Sequence, residues 1–107
     1  MSTQENQIEV RNNQIEQQYE IRSGGDIAVL VYERNDDSIA YMHTGVPEAM
    51  EGHGIASKLA RTALEEAREQ KLHVVPYCPF VRTYIQRHPE YMALLTEADK
   101  ERFYPGR

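Results

Sequence analysis

Cysteine is almost absent from this sequence of 107 residues, since Cys78 is the only one. One thiol cannot form an intrachain disulfide, and it cannot supply the set of thiolates that a cysteine-based zinc site needs. The four histidines are His43, His53, His73 and His88, and their spacing is not typical of metal ligands. We therefore expect neither a disulfide framework nor a metal site.

Long apolar runs and an excess of basic residues are also missing. No segment approaches the ~20 apolar residues of a membrane span, and the polar residues 1–7, which we expect to be a frayed end, lack the apolar core of a signal peptide. The net charge of −5 argues against general nucleic-acid binding. The sequence thus predicts a cytoplasmic protein with neither a membrane nor a nucleic-acid partner, formed as a single domain over residues 1–107.

The first half of the sequence has the pattern of short strands separated by turns. Ser23-Gly24-Gly25-Asp26 is the clearest hairpin signal, because glycine supplies the positive φ that such turns need. Asn12-Asn13 and Asn35-Asp36-Asp37 mark two further turns. The spacing predicts an antiparallel meander of four strands, centred on residues 8–10, 15–21, 27–32 and 39–44. We expect the second to be an edge strand and the third to be central.

The second half changes to helical periodicity. Ile55, Leu59, Ala63 and Ala67 recur at a four-residue step, which predicts an amphipathic helix from Gly54 to about residue 70. Residues 72–77 form an apolar run that predicts a fifth strand. A strand, a helix of this length and a second strand imply a parallel pairing made by a right-handed crossover.

The end of the sequence predicts a short helix and a tail. Pro79–Arg87 has proline at its first position and is followed by the helix-breaking His88-Pro89-Glu90. Residues 91–95 can form one or two more helical turns, and the charged residues 96–107 predict a loosely held tail beyond a core of about 8–95. The predicted class is α/β, or α+β in some schemes: an antiparallel meander, then a β-α-β unit with a short C-terminal helix.

A glycine-bearing junction links the fourth predicted strand to the long helix. Gly52 and Gly54 have no Cβ, so backbone N–H groups can close on an anion without steric conflict. The first N–H groups of a helix have no intrahelical partner, and the helix dipole is positive there. The junction therefore predicts a phosphate site. It is neither the dinucleotide pattern, because Ser57 replaces the third glycine, nor the Walker pattern, because Gly-Lys-Ser/Thr is missing.

The run Glu51-Gly52-His53-Gly54-Ile55-Ala56 resembles motif A of the Gcn5-related N-acetyltransferase (GNAT) family. That motif is Gln or Arg, two residues, Gly, one residue, then Gly or Ala. Gly54 and Ala56 match it, whereas Glu51 stands where Gln or Arg is usual. Residues 43–47, 74–81 and 84–91 are similar to the short YjdJ-type branch, which has a Cys-Pro after the fifth strand. The resemblance covers residues 8–95 approximately and implies a minimal GNAT fold without N-terminal helices.

The resemblance also implies a ligand. In the family this loop holds the pyrophosphate of acetyl-coenzyme A, and the splayed fourth and fifth strands admit the pantetheine arm. It therefore assigns coenzyme contacts to the end of the fourth strand and to the loop, in which the backbone N–H of the histidine matters more than its ring. The candidates are Thr44, Val46, Gly52, His53, Gly54, Ile55, Ala56 and Ser57.

Three further residues are candidates for the chemistry of acetyl transfer. Cys78 is either an acyl-accepting nucleophile, a proton donor near the coenzyme sulfur, or a small buried residue at a strand end. Tyr84 looks like the family's helix tyrosine that protonates the leaving thiolate, and its alternative is a packing aromatic. His43 is either a base, acting directly or through water, or a hydrogen-bonded strand residue.

Together these features predict an acetyl-coenzyme A-dependent N-acetyltransferase that acts on an unidentified small-molecule or peptide amine, as a monomer or weak dimer. Two other classes stay open. The chain could be a coenzyme A-binding sensor or interaction module without its own substrate, because so short a sequence leaves few residues for an acceptor pocket. It could also be a generic anion-binding module that shares only the architecture.

Overall fold

A computed structural model describes residues 8–106 of the chain. It contains one five-stranded sheet with the strand order β1-β2-β3-β4-β5. The expected frayed end, residues 1–7, lies outside the described residues. The strands are β1 (Arg11–Asn13), β2 (Gln18–Ser23), β3 (Asp26–Arg34), β4 (Ser38–Gly45) and β5 (His73–Pro76), and the α-helices are α1 (Ile55–Glu69), α2 (Pro79–Arg87) and α3 (Glu97–Phe103). Two 3-10 segments, Glu48–Met50 and Pro89–Leu94, complete the regular structure.

The sheet is mixed, as its sequence pattern predicts. Strands β1 to β4 pair in antiparallel fashion, and β5 adds to β4 in parallel after the crossover through α1. Gly24 has φ 61° in the hairpin between β2 and β3, which confirms why glycine is needed there. The predicted α+β class, a meander followed by a β-α-β unit and a short helix, is confirmed.

The core lies between α1 and one face of the sheet. Tyr19 and Tyr41 point from that face toward α1, where their hydroxyls donate to Glu66 Oε1 over 2.8 Å and to the Ala63 carbonyl over 2.7 Å. Residues on the other face of β3, such as Val31, are only partly buried. Within residues 8–106, no helix has the length and apolar character needed to cross a membrane.

The first hairpin differs from its sequence prediction. Ile15 was expected in a strand, but it lies in the turn between β1 and β2 and is 93% exposed. The strand β2 begins only at Gln18, and it is not an edge strand because it pairs with β1 on one side and β3 on the other. Asn12 and Asn13 belong to β1 and not to a turn. Local turn signals thus misplaced the hairpin by a few residues.

The prediction of a loosely held tail over residues 96–107 is wrong. Thr96 caps α3 by accepting a hydrogen bond from Asp99 N over 3.1 Å. Tyr104 is only 7% exposed and donates its hydroxyl to the Arg82 carbonyl over 2.9 Å. The Phe103 ring meets Tyr77 edge-on, with 5.6 Å between ring centroids. These tertiary contacts, and not the polar composition of the segment, fix the end of the chain.

Candidate functional site

The glycine junction predicted from the sequence has the backbone of a helix N-terminus preceded by two left-handed residues. Gly52 and Gly54 have φ 85° and 71°, values that L side chains rarely adopt. Within residues 8–106, a Cβ built on either glycine would have no heavy atom within 4 Å beyond the glycine and its two chain neighbours. The backbone conformation therefore requires glycine here, and both positions face open space that a ligand can enter.

The first N–H groups of α1 are available to such a ligand. Gly54 is the N-cap and has no side chain to cap the helix, and the Lys58 N–H makes the first bond of the helix, to the Gly54 carbonyl. The N–H groups of Ile55, Ala56 and Ser57 therefore have no intrahelical acceptor. The positive end of the helix dipole adds to their attraction for an anion.

These groups line a shallow cavity of about 180 Å³, which we call the loop cavity. Six of the eight candidate coenzyme residues meet there, and His53 and Thr44 do not. Met50 and Phe80 also line it, and no pattern in the sequence marked either of them as part of the site. The lining residues are Val46, Met50, Glu51, Gly52, Gly54, Ile55, Ala56, Ser57 and Phe80.

His53 and Thr44 lie just outside the loop cavity. His53 is exposed and lines a neighbouring space of about 420 Å³ together with Arg22 of the β2–β3 hairpin. Thr44 is in β4, where its Oγ1 is 3.1 Å from Cys78 Sγ and either atom can be the donor. Thr44 therefore contacts Cys78, one of the candidates for the chemistry, and does not line the loop cavity.

A fork opens between β4 and β5 next to the loop cavity. Their parallel pairing ends at Tyr41 and Pro76, and one further bond runs from the Cys78 N–H to the Tyr41 carbonyl over 2.8 Å. Beyond it, β4 continues to Gly45 while the chain after β5 turns into α2. Among residues 8–106, the end of β4 therefore has no strand partner on that side, and Thr44 and Cys78 meet across the base of the opening.

Cys78 is buried at this fork, with only 2% of its surface exposed. It is also the N-cap of α2, whose first residue is Pro79. The burial is compatible with each role considered from the sequence, because a ligand entering the fork would approach the Thr44–Cys78 pair. The thiol is therefore inaccessible to large reagents.

Tyr84 lies on α2, one helical turn after Phe80 of the loop cavity. Its ring stacks on His88 at 4.2 Å between centroids and lies 6.2 Å from the Tyr91 ring. Burial raises the pKa of Tyr84 above its ordinary value, against an opposing effect of the nearby Arg61 charge. The phenol therefore keeps its proton at neutral pH. Tyr84 is not among the residues that line the loop cavity.

His43 is separated from Cys78 by the sheet. Paired residues on neighbouring antiparallel strands share a face of the sheet. His43 pairs with Val31 and Thr44 pairs with Leu30, so the histidine lies on the open face and the threonine on the helix face. The register then shifts between Val31 and the next residue of β3, which leaves Met42 as an additional residue in β4.

The ring of His43 is exposed and lies close to Gly45. Its Nε2 is 3.3 Å from the point where a Cβ on Gly45 would stand. A larger residue at position 45 would push the imidazole aside. The structure therefore does not bring the three chemistry candidates together: Cys78 is at the fork, Tyr84 is on the α2 side, and His43 is across the sheet.

Comparison with known proteins identifies relatives of this chain. The family model of the GCN5-related N-acetyl-transferases matches residues 18–94. Protein NATD1 of Homo sapiens is 35% identical over 85 residues, which cover 77% of this chain and 75% of that protein. Protein NATD1 of Xenopus tropicalis is 33% identical over 85 residues, with coverage of 77% and 78%.

A solved structure supports the same relationship. The solution structure of a GCN5-like protein from Staphylococcus aureus superposes on this chain with a TM-score of 0.66 and 25% sequence identity. The superposition covers 84% of this chain and 89% of the other. The helix α3 lies beyond the last residue, 94, of the family match.

Proposed function

We propose that this chain, which belongs to the GCN5-related N-acetyltransferase family, transfers an acetyl group from acetyl-coenzyme A to an amine. One observation carries the proposal: the free helix N-terminus of the loop cavity and the β4–β5 fork both follow the same end of β4. An elongated ligand can therefore place its phosphates against α1 and its reactive end beside Thr44 and Cys78.

The residues present fit the phosphate part of such a ligand. The N–H groups of Ile55, Ala56 and Ser57 are free to donate, and the left-handed Gly52 and Gly54 leave open space in front of them. Glu51 lines the same cavity with an exposed side chain. Its negative charge is unfavourable near a phosphate, but screening by solvent keeps the cost small as long as the carboxylate stays exposed.

Acetyl-coenzyme A, when bound, supplies a thioester whose carbonyl carbon an amine nitrogen attacks, so that a C–N bond forms and the C–S bond breaks. The amine has to lose a proton and the leaving sulfur has to gain one. We assign the first task to the open face, where His43 is exposed, and the second to the helix face. There the protonated Tyr84 is the candidate donor, and the Thr44–Cys78 pair positions the reactive end.

The experiment that tests this proposal is a steady-state assay of the purified chain with acetyl-coenzyme A and a panel of amines: polyamines, amino acids and lysine peptides. Loss of thioester absorbance measures turnover, and mass spectrometry identifies the acetylated product. We expect Tyr84→Phe to lower kcat by about a hundredfold if the phenol is the general acid. Tyr104→Phe is the control, because it removes the hydroxyl of a tyrosine at the C-cap of α3 that has no assigned role in the chemistry. It should leave kcat within roughly twofold.

The role of Cys78 is separable in the same assay. We favour direct transfer to the amine, in which Cys78→Ser keeps turnover because a hydroxyl can still bond to Thr44 Oγ1. A cysteine acyl-enzyme would instead lose turnover on this change, and an acetyl adduct on Cys78 would appear in the wild type without an amine.

Coenzyme binding without turnover on any amine would favour the second candidate function, a coenzyme A-binding sensor or interaction module. The observation that favours it is the open face of the sheet: within residues 8–106, His43 is exposed there and β3 residues on that face, such as Val31, are only partly buried. Equal binding of ATP and acetyl-coenzyme A would favour the generic anion-binding module.

A further inference from the structure

A second cavity lies at the opposite end of α1 from the glycine junction. It has a volume of about 290 Å³, and it shares no lining residue with the loop cavity. We call it the tyrosine cavity, after Tyr19 and Tyr32. Glu66 lines it near the C-terminal end of α1 and, at 1.5 Å per residue, stands roughly 16 Å along the helix axis from Ile55. The proposed acetyl transfer makes no use of it.

Two tyrosine residues line this cavity, and each hydroxyl already donates a hydrogen bond within the protein. Tyr19 donates to Glu66 Oε1 over 2.8 Å, and Tyr32 donates to Asn12 Oδ1 over 2.6 Å. The rings lie 5.4 Å apart between centroids, with 48° between their planes. Each phenol oxygen can therefore only accept from a ligand. Within residues 8–106, Tyr19 is the one hydrogen-bond donor to the Glu66 carboxylate, which leaves Oε2 of that carboxylate free to accept as well.

The rim of the cavity is held in a strained conformation. Gln17 is a non-glycine residue with φ 55°, a conformation that costs about 1 kcal/mol or more and persists only where the surroundings enforce it. Its carbonyl accepts from the Tyr32 N–H over 3.0 Å, and its Oε1 accepts from the Arg34 N–H over 2.8 Å. Both bonds fasten the β1–β2 turn to β3 and keep the cavity wall in place.

One cation, Arg34, also lines the cavity, and its charge acts on Tyr32, but its guanidinium is held by neighbouring backbone. The Arg34 guanidinium donates to the backbone carbonyls of Asn35 and Asp36 in the next turn. The Glu66 carboxylate is the anionic group among the lining residues, and it accepts directly from Tyr19. Ile39 and Leu72 supply an apolar floor.

We propose that the tyrosine cavity binds a small organic cation, namely a guanidinium or primary ammonium group on a short apolar chain. Such a group brings only N–H donors, which match the accepting oxygens of Tyr19, Tyr32 and Glu66. Ile39 and Leu72 can contact the apolar chain. The net charge of −5 raises the local concentration of cations. The site does not depend on the proposed acetyl transfer.

The test uses butylguanidinium as the probe and butylurea, its uncharged counterpart, as the control ligand. Each is titrated into the ¹⁵N-labelled full chain, and amide shifts are followed. We expect butylguanidinium to shift the amides of Gln17, Tyr32 and Glu66 while those of Gly54 and Ser57 stay in place. Butylurea should bind at least about tenfold more weakly, since hydrogen bonds to a charged group are the stronger ones.

Two matched substitutions identify the carboxylate. Glu66→Gln keeps an oxygen that can accept from Tyr19, so the fold is retained, and it should weaken butylguanidinium binding about tenfold to a hundredfold. Glu69→Gln makes the same charge change at an exposed position of α1 outside the cavity and should leave binding within twofold. Gln14→Lys places a cation at the exposed rim and should also weaken butylguanidinium binding, which keeps the test valid if Glu66→Gln disturbs the fold.

Several results would overturn the proposal. These are the absence of amide shifts at millimolar probe, shifts centred on the loop cavity, equal affinity for butylurea, or equal weakening by the changes at Glu66 and Glu69. The last would mean that the probe senses only net charge.

Discussion

Replacement of Tyr104 by alanine measures how firmly the C-terminal helix is docked. Burying an aromatic side chain removes ~150 Å² of its surface from water, which at ~25 cal/mol per Å² stabilises the fold by about 4 kcal/mol. This value is an upper bound, because the unfolded chain already buries part of that surface. Tyr104 is buried and is bonded to the Arg82 carbonyl. We therefore expect Tyr104→Ala to lower the free energy of unfolding by about 3 kcal/mol. Tyr104→Phe removes only the hydroxyl and should cost about 1 kcal/mol.

The assay is urea denaturation followed by far-ultraviolet circular dichroism. Ile15→Ala is the matched control, because it truncates a large apolar side chain that is 93% exposed, and it should change the free energy of unfolding by no more than about 0.5 kcal/mol. If Tyr104→Ala changed stability as little as Ile15→Ala, residues 96–107 would be a loose tail as their composition suggests, and the docking described above would be refuted.

Two further predictions concern backbone and pH. Gly54→Ala and Gly24→Ala each force a side chain into the left-handed region, at φ 71° and 61°. Each should therefore lower the free energy of unfolding by about 1 kcal/mol in thermal denaturation. Only Gly54→Ala should weaken binding of acetyl-coenzyme A, and a loss of binding in both variants would contradict the assignment of the loop. Burial, with the Tyr91 hydroxyl bond to Glu65, raises the pKa of Tyr91 to about 12. Because the folded state holds that proton more tightly than the unfolded state, its contribution to stability is complete below pH ~10 and is lost as the pH rises toward ~12. Tyr91→Phe should therefore flatten the alkaline decline of the unfolding free energy, and an unchanged slope would rule the contribution out.

Helical and strand periodicity was sufficient to predict the β-α-β unit. The apolar step beginning at Ile55 placed α1 within a residue of its observed bounds, and proline at its first position placed α2 at Pro79–Arg87. Both signals are local, since they depend on side chains one turn apart. The same holds for the hairpin at Gly24, where the turn itself demands a residue with positive φ.

The end of the chain shows where local signals fail. The sequence of α3 is charged and has no apolar stripe, so its pattern favoured a tail. The helix is fixed by two aromatic residues at its end, Phe103 and Tyr104, which pack on Tyr77 and Arg82 from distant parts of the sequence. A local cue was present nevertheless, because Thr96 stands three residues before an acidic residue, a typical N-terminal signature.

The candidate site was predictable in composition but not in arrangement. The loop residues follow from glycine spacing, whereas the 3.1 Å contact between Thr44 Oγ1 and Cys78 Sγ was not predicted, because it depends on how β4 and β5 pair. The placement of His43 on the other face depends on the additional residue Met42 in β4. A bulge is set by pairing with β3, so simple alternation along β4 could not reveal it. The roles of these residues in chemistry stay predictions.

Calorimetric titration of the full chain with acetyl-coenzyme A, alongside Gly54→Glu, tests whether the loop cavity at the α1 N-terminus binds the coenzyme. The glutamate Cβ would point into open space before the α1 N-terminus, and the carboxylate would add a negative charge to the loop cavity. We expect saturable binding in the wild type and none in the variant, with both folded by circular dichroism. A folded wild type that releases no heat, or a Gly54→Glu variant that binds equally well, would contradict it.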